Sequence, residues 1–185
     1  MTKILILTAL PAELENKPLP VDAPVIFTGV GKVNAALATA EAIRTHQPDC
    51  IFNYGTAGGV SARAVGLHEV GAVLQRDMMA EPLAPRGQTP FDEAPVRLAS
   101  ACSDPQALLC ATGDSFVSTS DPWLLQQGVD LVEMELWGIA MACRQAGVPW
   151  RAWKYVSDNA NEASHNDWAE NVHKGREAFI RVLTS

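Results

Sequence analysis

Residues 25–46, VIFTGVGKVNAALATAEAIRTH, join a short apolar run to a segment of helical period through a turn with two glycines. The run at 25–28 is typical of a buried strand. From Lys32 to His46, apolar side chains recur at helical spacing and form one stripe along the predicted helix: Val33, Ala36, Leu37, Ala40 and Ile43. A strand, a turn and a helix in succession indicate an α/β protein.

Further apolar runs of strand length lie on both sides of this unit, at residues 4–8, 50–54, 71–75, 107–112, 130–133 and 150–156. A second helix is predicted from Glu135 to Gly147, where Gly147 and Pro149 give a stop signal, and a third from about Trp168 to Leu183. This alternation predicts a sheet covered by helices on both faces, with ligand groups at the strand ends.

Length and composition exclude several classes of protein. The 185 residues suit a single domain, 1–185, and no apolar run is long enough to cross a membrane. Acidic residues outnumber basic ones 21 to 14, and the scattered Lys and Arg residues leave no stripe for a phosphate backbone. We therefore expect neither nucleic acid nor a membrane as partner.

The short run at 4–10 is soon followed by Glu13 and Glu15, which favours a first strand over a signal peptide. The four cysteines contain no CxxC pair, which predicts reduced core thiols, no metal and a cytoplasmic location. Residues 76–95 contain four prolines, Pro82, Pro85, Pro90 and Pro95, and predict a long surface excursion that serves as a lid or an interface element.

Two glycine-rich strings follow predicted strands. Gly29-Val30-Gly31-Lys32 lacks the third glycine of a dinucleotide fingerprint and the ending of a P-loop, so a tight strand-to-helix turn explains it at least as well as a phosphate site. In residues 53–59, NYGTAGG, small residues let the backbone approach a ligand and Thr56 adds a hydroxyl. An ordinary turn explains two of these glycines but less readily the whole string.

Carboxylates follow two other predicted strands. Alternation puts Glu133 and Glu135 on one face of the chain, where they are solvated, hold a polar ligand or complement a helix dipole. Asp158 ends the last run, where burial disfavours a charged carboxylate, although it could also cap a turn. Glu13, a few residues after the first strand, is by itself an ordinary loop acid.

Together these segments resemble the nucleoside phosphorylase and nucleosidase superfamily, and within it the methylthioadenosine/S-adenosylhomocysteine nucleosidases. The resemblance lies in Ala12-Glu13, TGVGKVNAAL, NYGTAGGV, ATGDSFVS, VEMELWGIAMAC and VSDNANEASHNDW, in that order along the chain. It implies an α/β fold of three αβα layers with a central mixed, twisted sheet. It also implies a purine nucleoside as substrate, no cofactor, a homodimer, and a place in nucleoside catabolism and methionine salvage.

The resemblance also implies roles for individual residues. Asp158 is the general acid that protonates N7 of the purine, and Ser157 orients it. Glu13 positions and deprotonates the attacking water, so we expect Asp158 to be protonated and Glu13 ionised. The other residues expected to bind the substrate are Val30, Thr56, Ala57 and Gly58 near the sugar and base, Phe116 and Val117 at the purine, Met134 and Glu135 at the ribose with Glu133 as a weaker candidate, and Trp168 over the 5′ substituent.

Hydrolysis is favoured over phosphorolysis. The two arginines that bind phosphate in similar phosphorylases are replaced here by the segment around Glu13 and by Asn53. The alternatives are a phosphorylase, a nucleosidase for another purine compound such as a nucleotide or a menaquinone precursor, and a non-catalytic nucleoside-binding homologue. Leu136, Trp137 and Trp168 are bulky for this family, which predicts a narrowed 5′ site that prefers a small substituent over a homocysteinyl group.

Overall fold

The computed structural model describes residues 2–102, 104–119, 121–161 and 164–185. Within them the strands are β1 (Ile4–Thr8), β2 (Val25–Phe27), β3 (Cys50–Gly59), β4 (Leu67–Gln75), β5 (Arg97–Ala99), β6 (Leu108–Thr112), β7 (Leu131–Glu133) and β8 (Trp150–Asp158). The helices are α1 (Lys32–His46), α2 (Pro122–Gln126), α3 (Leu136–Ala146), α4 (Ser164–Asn171) and α5 (Arg176–Thr184), and a 3-10 turn spans Pro11–Leu14. None of these helices is both long and apolar enough to cross a membrane.

The strands of the described ranges form one mixed sheet. β1 pairs in parallel with β2 and β3, and β5 lies antiparallel on β4 at the other edge. Between them, β3 pairs with β8, β8 with β4, β4 with β6, β6 with β7 and β7 with β3, so five strands close a ring. The mixed sheet is confirmed, and its closure into a ring is a feature that the sequence did not predict.

Helices cover both faces of the sheet, as predicted. Successive side chains of a strand point to opposite faces, and β1 shows both environments. Leu5 and Leu7 pack in the cluster that contains residues of α1 and α3, whereas Ile6 packs in the cluster of Phe179 on α5. The αβα layering therefore follows from apolar strands that bury both of their faces.

The C-terminal region is divided differently from the prediction. One helix from about 168 to 183 was expected, but α4 ends at Asn171 and α5 begins at Arg176. A Cβ at Gly175 would lie 2.4 Å from Tyr155 and 2.5 Å from the Tyr54 hydroxyl, so the backbone there lies directly on the sheet. A single continuous helix was therefore wrong, because the chain turns where it contacts β3 and β8.

The predicted bounds of α1 are confirmed, but its apolar stripe faces the core only in part: Ile43 packs against the core, whereas Val33 and Leu37 do not. The buried residues of α1 are Ala35, Thr39 and Ala42, while Val33 and Leu37 are 68% and 67% exposed. A Cβ at Gly138 of α3 would lie 2.3 Å from the Lys32 carbonyl oxygen, so the two helices approach too closely for large side chains. Small residues therefore form the packed face near the start of α1, where Val33 and Leu37 face outward, and Ile43 packs on the core further along the helix.

The chain between β4 and β5 contains no helix or strand, as expected for residues 76–95. Arg86 fastens it to the rest of the protein. Its guanidinium pairs with both carboxylate oxygens of Asp121, at 3.2 and 2.6 Å, and lies 4.3 Å from the ring centroid of Trp123. Its Nε also donates to the Arg76 carbonyl at 2.8 Å. The segment is thus anchored beside α2.

Candidate active site

A cavity of about 140 Å³, partly open to solvent, lies where several strands end. Because the C-terminal ends of neighbouring parallel strands meet at one edge, residues far apart in sequence come together there. The lining contains every site residue that the sequence predicted: Glu13, Val30, Thr56, Ala57, Gly58, Phe116, Val117, Glu133, Met134, Glu135, Ser157, Asp158 and Trp168. The functional roles of these residues stay predictions.

Glu13 is held rigidly at one side of the cavity. It lies in the 3-10 turn after β1, is 4% exposed, and accepts four hydrogen bonds. One carboxylate oxygen accepts from the Thr8 hydroxyl at 2.8 Å and the Leu10 amide at 3.0 Å. The other accepts from the amide and the hydroxyl of Thr56, at 2.8 and 3.1 Å. Two strands therefore fix an acid that sequence alone would place in an ordinary loop.

Asp158 ends β8 at another part of the same lining. Its carboxyl group is buried and accepts from the Ser157 hydroxyl and the Ala160 amide, both at 2.9 Å. A Cβ at Gly58 would lie 2.9 Å from Asp158 Oδ1, so only glycine lets this carboxyl group come so close to β3. The predicted contact between Ser157 and Asp158 is thus present.

Glu133 accepts hydrogen bonds from four donor groups of the protein itself. Its oxygens accept from the Thr112 hydroxyl, from the amides of Glu135 and Leu136 at 2.9 and 2.8 Å, and from the Lys154 ammonium at 3.0 Å. Burial opposes its ionisation, but Lys154 and these hydrogen bonds outweigh burial and hold the pKa of Glu133 below its ordinary value. Because Glu133 holds the amides of Glu135 and Leu136 and the Lys154 ammonium, it is better suited to positioning its neighbours than to binding a sugar.

Glu135 is the more available of the two acids. It precedes α3, and its side chain accepts one hydrogen bond, from the Gly31 amide at 2.9 Å, which joins it to the glycine turn beside Val30. Burial, together with the charge of Glu133, raises the pKa of Glu135 to about 7. Within the described ranges no other group of the protein donates to it, so its remaining acceptor sites can receive hydroxyl groups from a ligand in the cavity.

This raised pKa predicts opposite effects of Glu135→Gln on stability and on binding. A carboxyl group whose pKa is higher in the folded state favours folding at low pH, and this contribution is lost as pH rises through about 7. We expect Glu135→Gln to raise Tm by at least about 2 °C at pH 8 and by less at pH 5. It should weaken binding of a nucleoside at pH 8, because an amide replaces an anionic acceptor of hydroxyl groups. Calorimetry at the two pH values, with and without adenosine, measures both effects. A Tm difference independent of pH would contradict the charge assignment.

Lys154 is a buried cation that sequence analysis did not identify. It lies in β8, is 1% exposed, and its ammonium pairs with Glu133. A Cβ at Gly55 would lie 3.2 Å from both the Lys154 ammonium and Glu13 Oε1, so the cation approaches Glu13 as well. Burial opposes its charge, but Glu133 and Glu135 outweigh burial and raise the pKa of Lys154. One lysine thus offsets the charge of several buried carboxylates.

Removing this cation should be strongly destabilising. Lys154→Met leaves Glu133 buried without its charge partner, for which a cost of about 3–5 kcal/mol in the free energy of unfolding is expected. The double variant Lys154→Met, Glu133→Gln removes both charges and should recover part of the loss. Urea denaturation of the three proteins measures this. A single variant as stable as the parent would show that the ion pair has no structural role.

The glycine turn and the loop after β6 are joined by charged groups. The Lys32 amide donates to Asp114 at 2.8 Å, and its ammonium pairs with Asp77. Asp77 also accepts from the Asp114 amide at 2.8 Å. This network brings Val30 of the turn and Phe116 of the loop to the same cavity.

Arg76 lies beneath that loop and was also not predicted. It is 6% exposed, and its guanidinium donates to the carbonyl groups of Gly113 and Ser115 and to the Ser115 hydroxyl. A Cβ at Gly113 would lie 2.7 Å from the guanidinium carbon, so the loop needs glycine at this point. Arg76 therefore shapes the backbone that precedes Phe116.

Two of the bulky residues expected near the 5′ site lie elsewhere. Leu136 and Trp137 belong to the largest core cluster and are absent from the cavity lining. They lie on the buried face of α3, so their size cannot narrow the cavity directly. That part of the prediction was wrong, whereas Trp168 does line the cavity. Within the ranges that the structure describes, no group of His, Cys, Asp and Glu side chains is arranged to hold a metal ion.

Known proteins resemble this chain in sequence and in fold. A 5′-methylthioadenosine/S-adenosylhomocysteine nucleosidase of an Exiguobacterium species is 34% identical over 170 residues, which cover 79% of this chain and 71% of the relative. The S-adenosylhomocysteine nucleosidase of Streptococcus pyogenes, solved with 5-methylthiotubericidin, is 25% identical, with a TM-score of 0.83 and coverage of 97% and 94% of the two chains.

A futalosine hydrolase of Helicobacter pylori shares the fold at 21% identity, with a TM-score of 0.86 and coverage of 99% of this chain and 96% of that one. The family model described as the phosphorylase superfamily matches residues 21–185, which is most of the chain. The chain therefore belongs to the phosphorylase superfamily.

Proposed function

We propose that this protein hydrolyses the N-glycosidic bond of a 5′-modified adenosine, of the methylthioadenosine or S-adenosylhomocysteine type, to free adenine and a free sugar. The observation that carries the proposal is the shared cavity of Glu13 and Asp158. Hydrolysis of a glycosidic bond needs an acid for the leaving group and a base for water, and two carboxyl groups can divide these tasks. The relative from Exiguobacterium has the corresponding name.

Asp158 is the general acid in this proposal. It gives its proton to N7 of the purine while the bond between N9 and C1′ breaks, so that adenine leaves as a neutral molecule. The Ser157 hydroxyl and the Ala160 amide fix the orientation of the carboxyl group during this transfer. Phe116 stacks on the base, and the backbone of Val117 reads its edge.

Glu13 is the general base. The breaking bond leaves positive charge on the sugar, which water attacks at C1′ while Glu13 takes a proton from it. Four hydrogen bonds from Thr8, Leu10 and Thr56 hold the carboxylate for this task. Glu135 and the backbone of Met134 bind the ribose hydroxyls, and the raised pKa of Glu135 makes this binding weaker below about pH 7.

The charges in the cavity favour water over phosphate as the nucleophile. Four acidic residues line it, and each of them that is ionised repels a phosphate dianion. The nearby cations already interact with groups of the protein: Lys154 pairs with Glu133, and Arg76 donates to the Gly113 carbonyl. Asn53, which stands where similar phosphorylases have an arginine, donates instead to the Leu7 carbonyl at 3.0 Å.

The products test this function. The protein is incubated with methylthioadenosine, S-adenosylhomocysteine, adenosine and inosine, each with and without phosphate, and the sugar product is identified by mass spectrometry. We expect free methylthioribose whether or not phosphate is present. A sugar 1-phosphate that forms only with phosphate would establish the phosphorylase alternative, and no base release from any nucleoside would contradict the enzyme proposal. Slower turnover of S-adenosylhomocysteine than of methylthioadenosine is expected if Trp168 narrows the 5′ site.

A homodimer is part of the proposal. Three large apolar side chains are more than half exposed: Val33 and Leu37 of α1, and Met79 of the segment between β4 and β5. The pairing of Lys32 with Asp77 brings the start of α1 close to the chain that leads to Met79. Exposed apolar patches of this kind mark interfaces between proteins.

We expect Leu37→Glu to convert the dimer into a monomer, because it would bury a charge in the interface. Thr45→Glu, at the far end of the same helix, is the matched control and should leave the dimer intact. Light scattering coupled to gel filtration measures both. A parent protein that is already monomeric at micromolar concentration would contradict the dimer.

A cytoplasmic location and a role in nucleoside catabolism and methionine salvage are also proposed. The four cysteines, Cys50, Cys102, Cys110 and Cys143, are free thiols, which suits a reducing compartment.

A further inference from the structure

Trp168 makes a hydrogen bond that reaches Glu13 through one intermediate residue. Its indole nitrogen donates to the Thr56 hydroxyl oxygen at 3.0 Å. That hydroxyl lies 3.1 Å from Glu13 Oε1, to which the Thr56 amide also donates at 2.8 Å. A residue on α4 is therefore linked to the carboxylate after β1 through Thr56 of β3.

The direction of the hydrogen bonds follows from the chemistry of the three groups. An indole N–H can only donate, so the Thr56 oxygen must accept from it. The single hydroxyl proton of Thr56 is then directed to Glu13, which accepts it. Without Trp168, the hydroxyl group would be free to rotate away from the carboxylate. The indole thus fixes the orientation of the Thr56 hydroxyl, which donates one of the four hydrogen bonds that Glu13 accepts.

The helix that carries Trp168 is attached to the other catalytic candidate as well. Near the end of α4, the Asn171 side-chain amide donates to the Ser157 carbonyl at 2.7 Å. Ser157 in turn donates to Asp158 at 2.9 Å. α4 therefore contacts Ser157, which donates to the proposed acid Asp158, and also Thr56, which donates to the proposed base Glu13.

We propose that Trp168 is a positioning residue for Glu13, acting through the Thr56 hydroxyl, and that this link makes the catalytic rate depend on the 5′ substituent of the substrate. The inference rests on the proposed function and deepens it. A substituent that fits beneath the indole leaves the hydrogen bond intact. A longer substituent displaces the indole, releases the Thr56 hydroxyl and leaves Glu13 less well held, so discrimination appears in kcat rather than only in KM.

The variants that test this inference separate the hydrogen bond from the bulk of the ring. Trp168→Phe keeps an aromatic cover and removes the donor, and Thr56→Val removes the hydroxyl while keeping the amide that donates to Glu13. Thr56→Ser retains the hydroxyl and tests whether this group alone rescues the loss seen in Thr56→Val. We compare these variants with the parent and with the double variant Trp168→Phe, Thr56→Val. For each protein, kcat and KM are measured for methylthioadenosine and S-adenosylhomocysteine, together with Tm.

We expect Trp168→Phe to lower kcat for methylthioadenosine about five- to tenfold, with KM within about twofold of the parent. Thr56→Val should lower kcat at least as much, Thr56→Ser should recover most of the loss seen in Thr56→Val because it retains the hydroxyl, and the double variant should be no worse than Thr56→Val alone. The ratio of kcat for methylthioadenosine to that for S-adenosylhomocysteine should shrink in Trp168→Phe. Multiplicative losses in the double variant, or a Trp168→Phe change in KM alone, would overturn the inference.

A measurement without substrate tests the hydrogen bond itself. The indole N–H proton of Trp168 is assigned in NMR spectra by its loss in Trp168→Phe. In Thr56→Val it should move upfield, since its acceptor is gone, and an unchanged resonance would overturn the inference. A parent protein that releases no base contradicts the proposed function, whereas an active parent with multiplicative losses contradicts only the role of Trp168.

Discussion

Replacing Asp158 by Asn should lower kcat for adenine release by at least about 10²-fold, because the amide cannot give a proton to the leaving base. The amide has nearly the same shape: its oxygen can accept from the Ala160 amide while its NH₂ group donates to the Ser157 hydroxyl oxygen, so folding and substrate binding should be almost unchanged. Steady-state release of adenine from methylthioadenosine measures the loss. Asp22→Asn, which changes an exposed acid outside the cavity, should retain the parental rate. Activity of Asp158→Asn within about tenfold of the parent would refute the role of Asp158 as the general acid.

Replacing Glu13 by Gln should lower kcat by a similar factor of at least about 10², because the amide cannot take a proton from water. This variant also disturbs the site. The NH₂ group of Gln replaces one of the two carboxylate oxygens, so it must face either the Thr56 amide or the Thr8 hydroxyl and Leu10 amide, which are all donors. A cost of about 1–3 kcal/mol in the free energy of unfolding is expected from that mismatch.

The rate of adenine release and a urea denaturation curve separate these two effects of Glu13→Gln. Glu15→Gln is the matched control, because Glu15 lies two residues away, pairs with Lys17 and does not line the cavity. Its kcat should equal that of the parent. A Glu13→Gln protein that is folded and nearly as active as the parent would exclude Glu13 as the base.

Much of the fold could be predicted because its signals are local. An apolar run of strand length gave β1, and the apolar spacing of residues 32–46 gave the bounds of α1. Closure of the sheet depends on pairings such as β4 with β8 and β3 with β7, which no local pattern encodes. The outward face of α1 was missed for a similar reason, because only the close approach of Gly138 shows which side is packed.

The cavity residues could be predicted because most of them lie at the end of a strand or just after it and because six segments resemble one family. Lys154 and Arg76 were missed because each looks like an ordinary polar residue in or beside a strand. A signal for Lys154 was present, since a lysine inside the apolar run 150–156 must find a carboxylate when buried, and Glu133 ends another apolar run. The hydrogen bond from Trp168 to Thr56 has no sequence signal, because it joins residues 112 positions apart.

The most direct test of the two carboxyl roles uses a better leaving group. In a 4-nitrophenyl riboside that carries the 5-methylthio substituent, the phenolate departs readily without a proton, so the general acid is not needed while the attacking water still needs a base. We predict that Asp158→Asn hydrolyses this compound at close to the parental rate although it releases adenine at least about 10²-fold more slowly, and that Glu13→Gln is slow on both. Equal losses of Asp158→Asn on the two substrates, or parental rates of Glu13→Gln on the nitrophenyl compound, would contradict the assignment of acid and base.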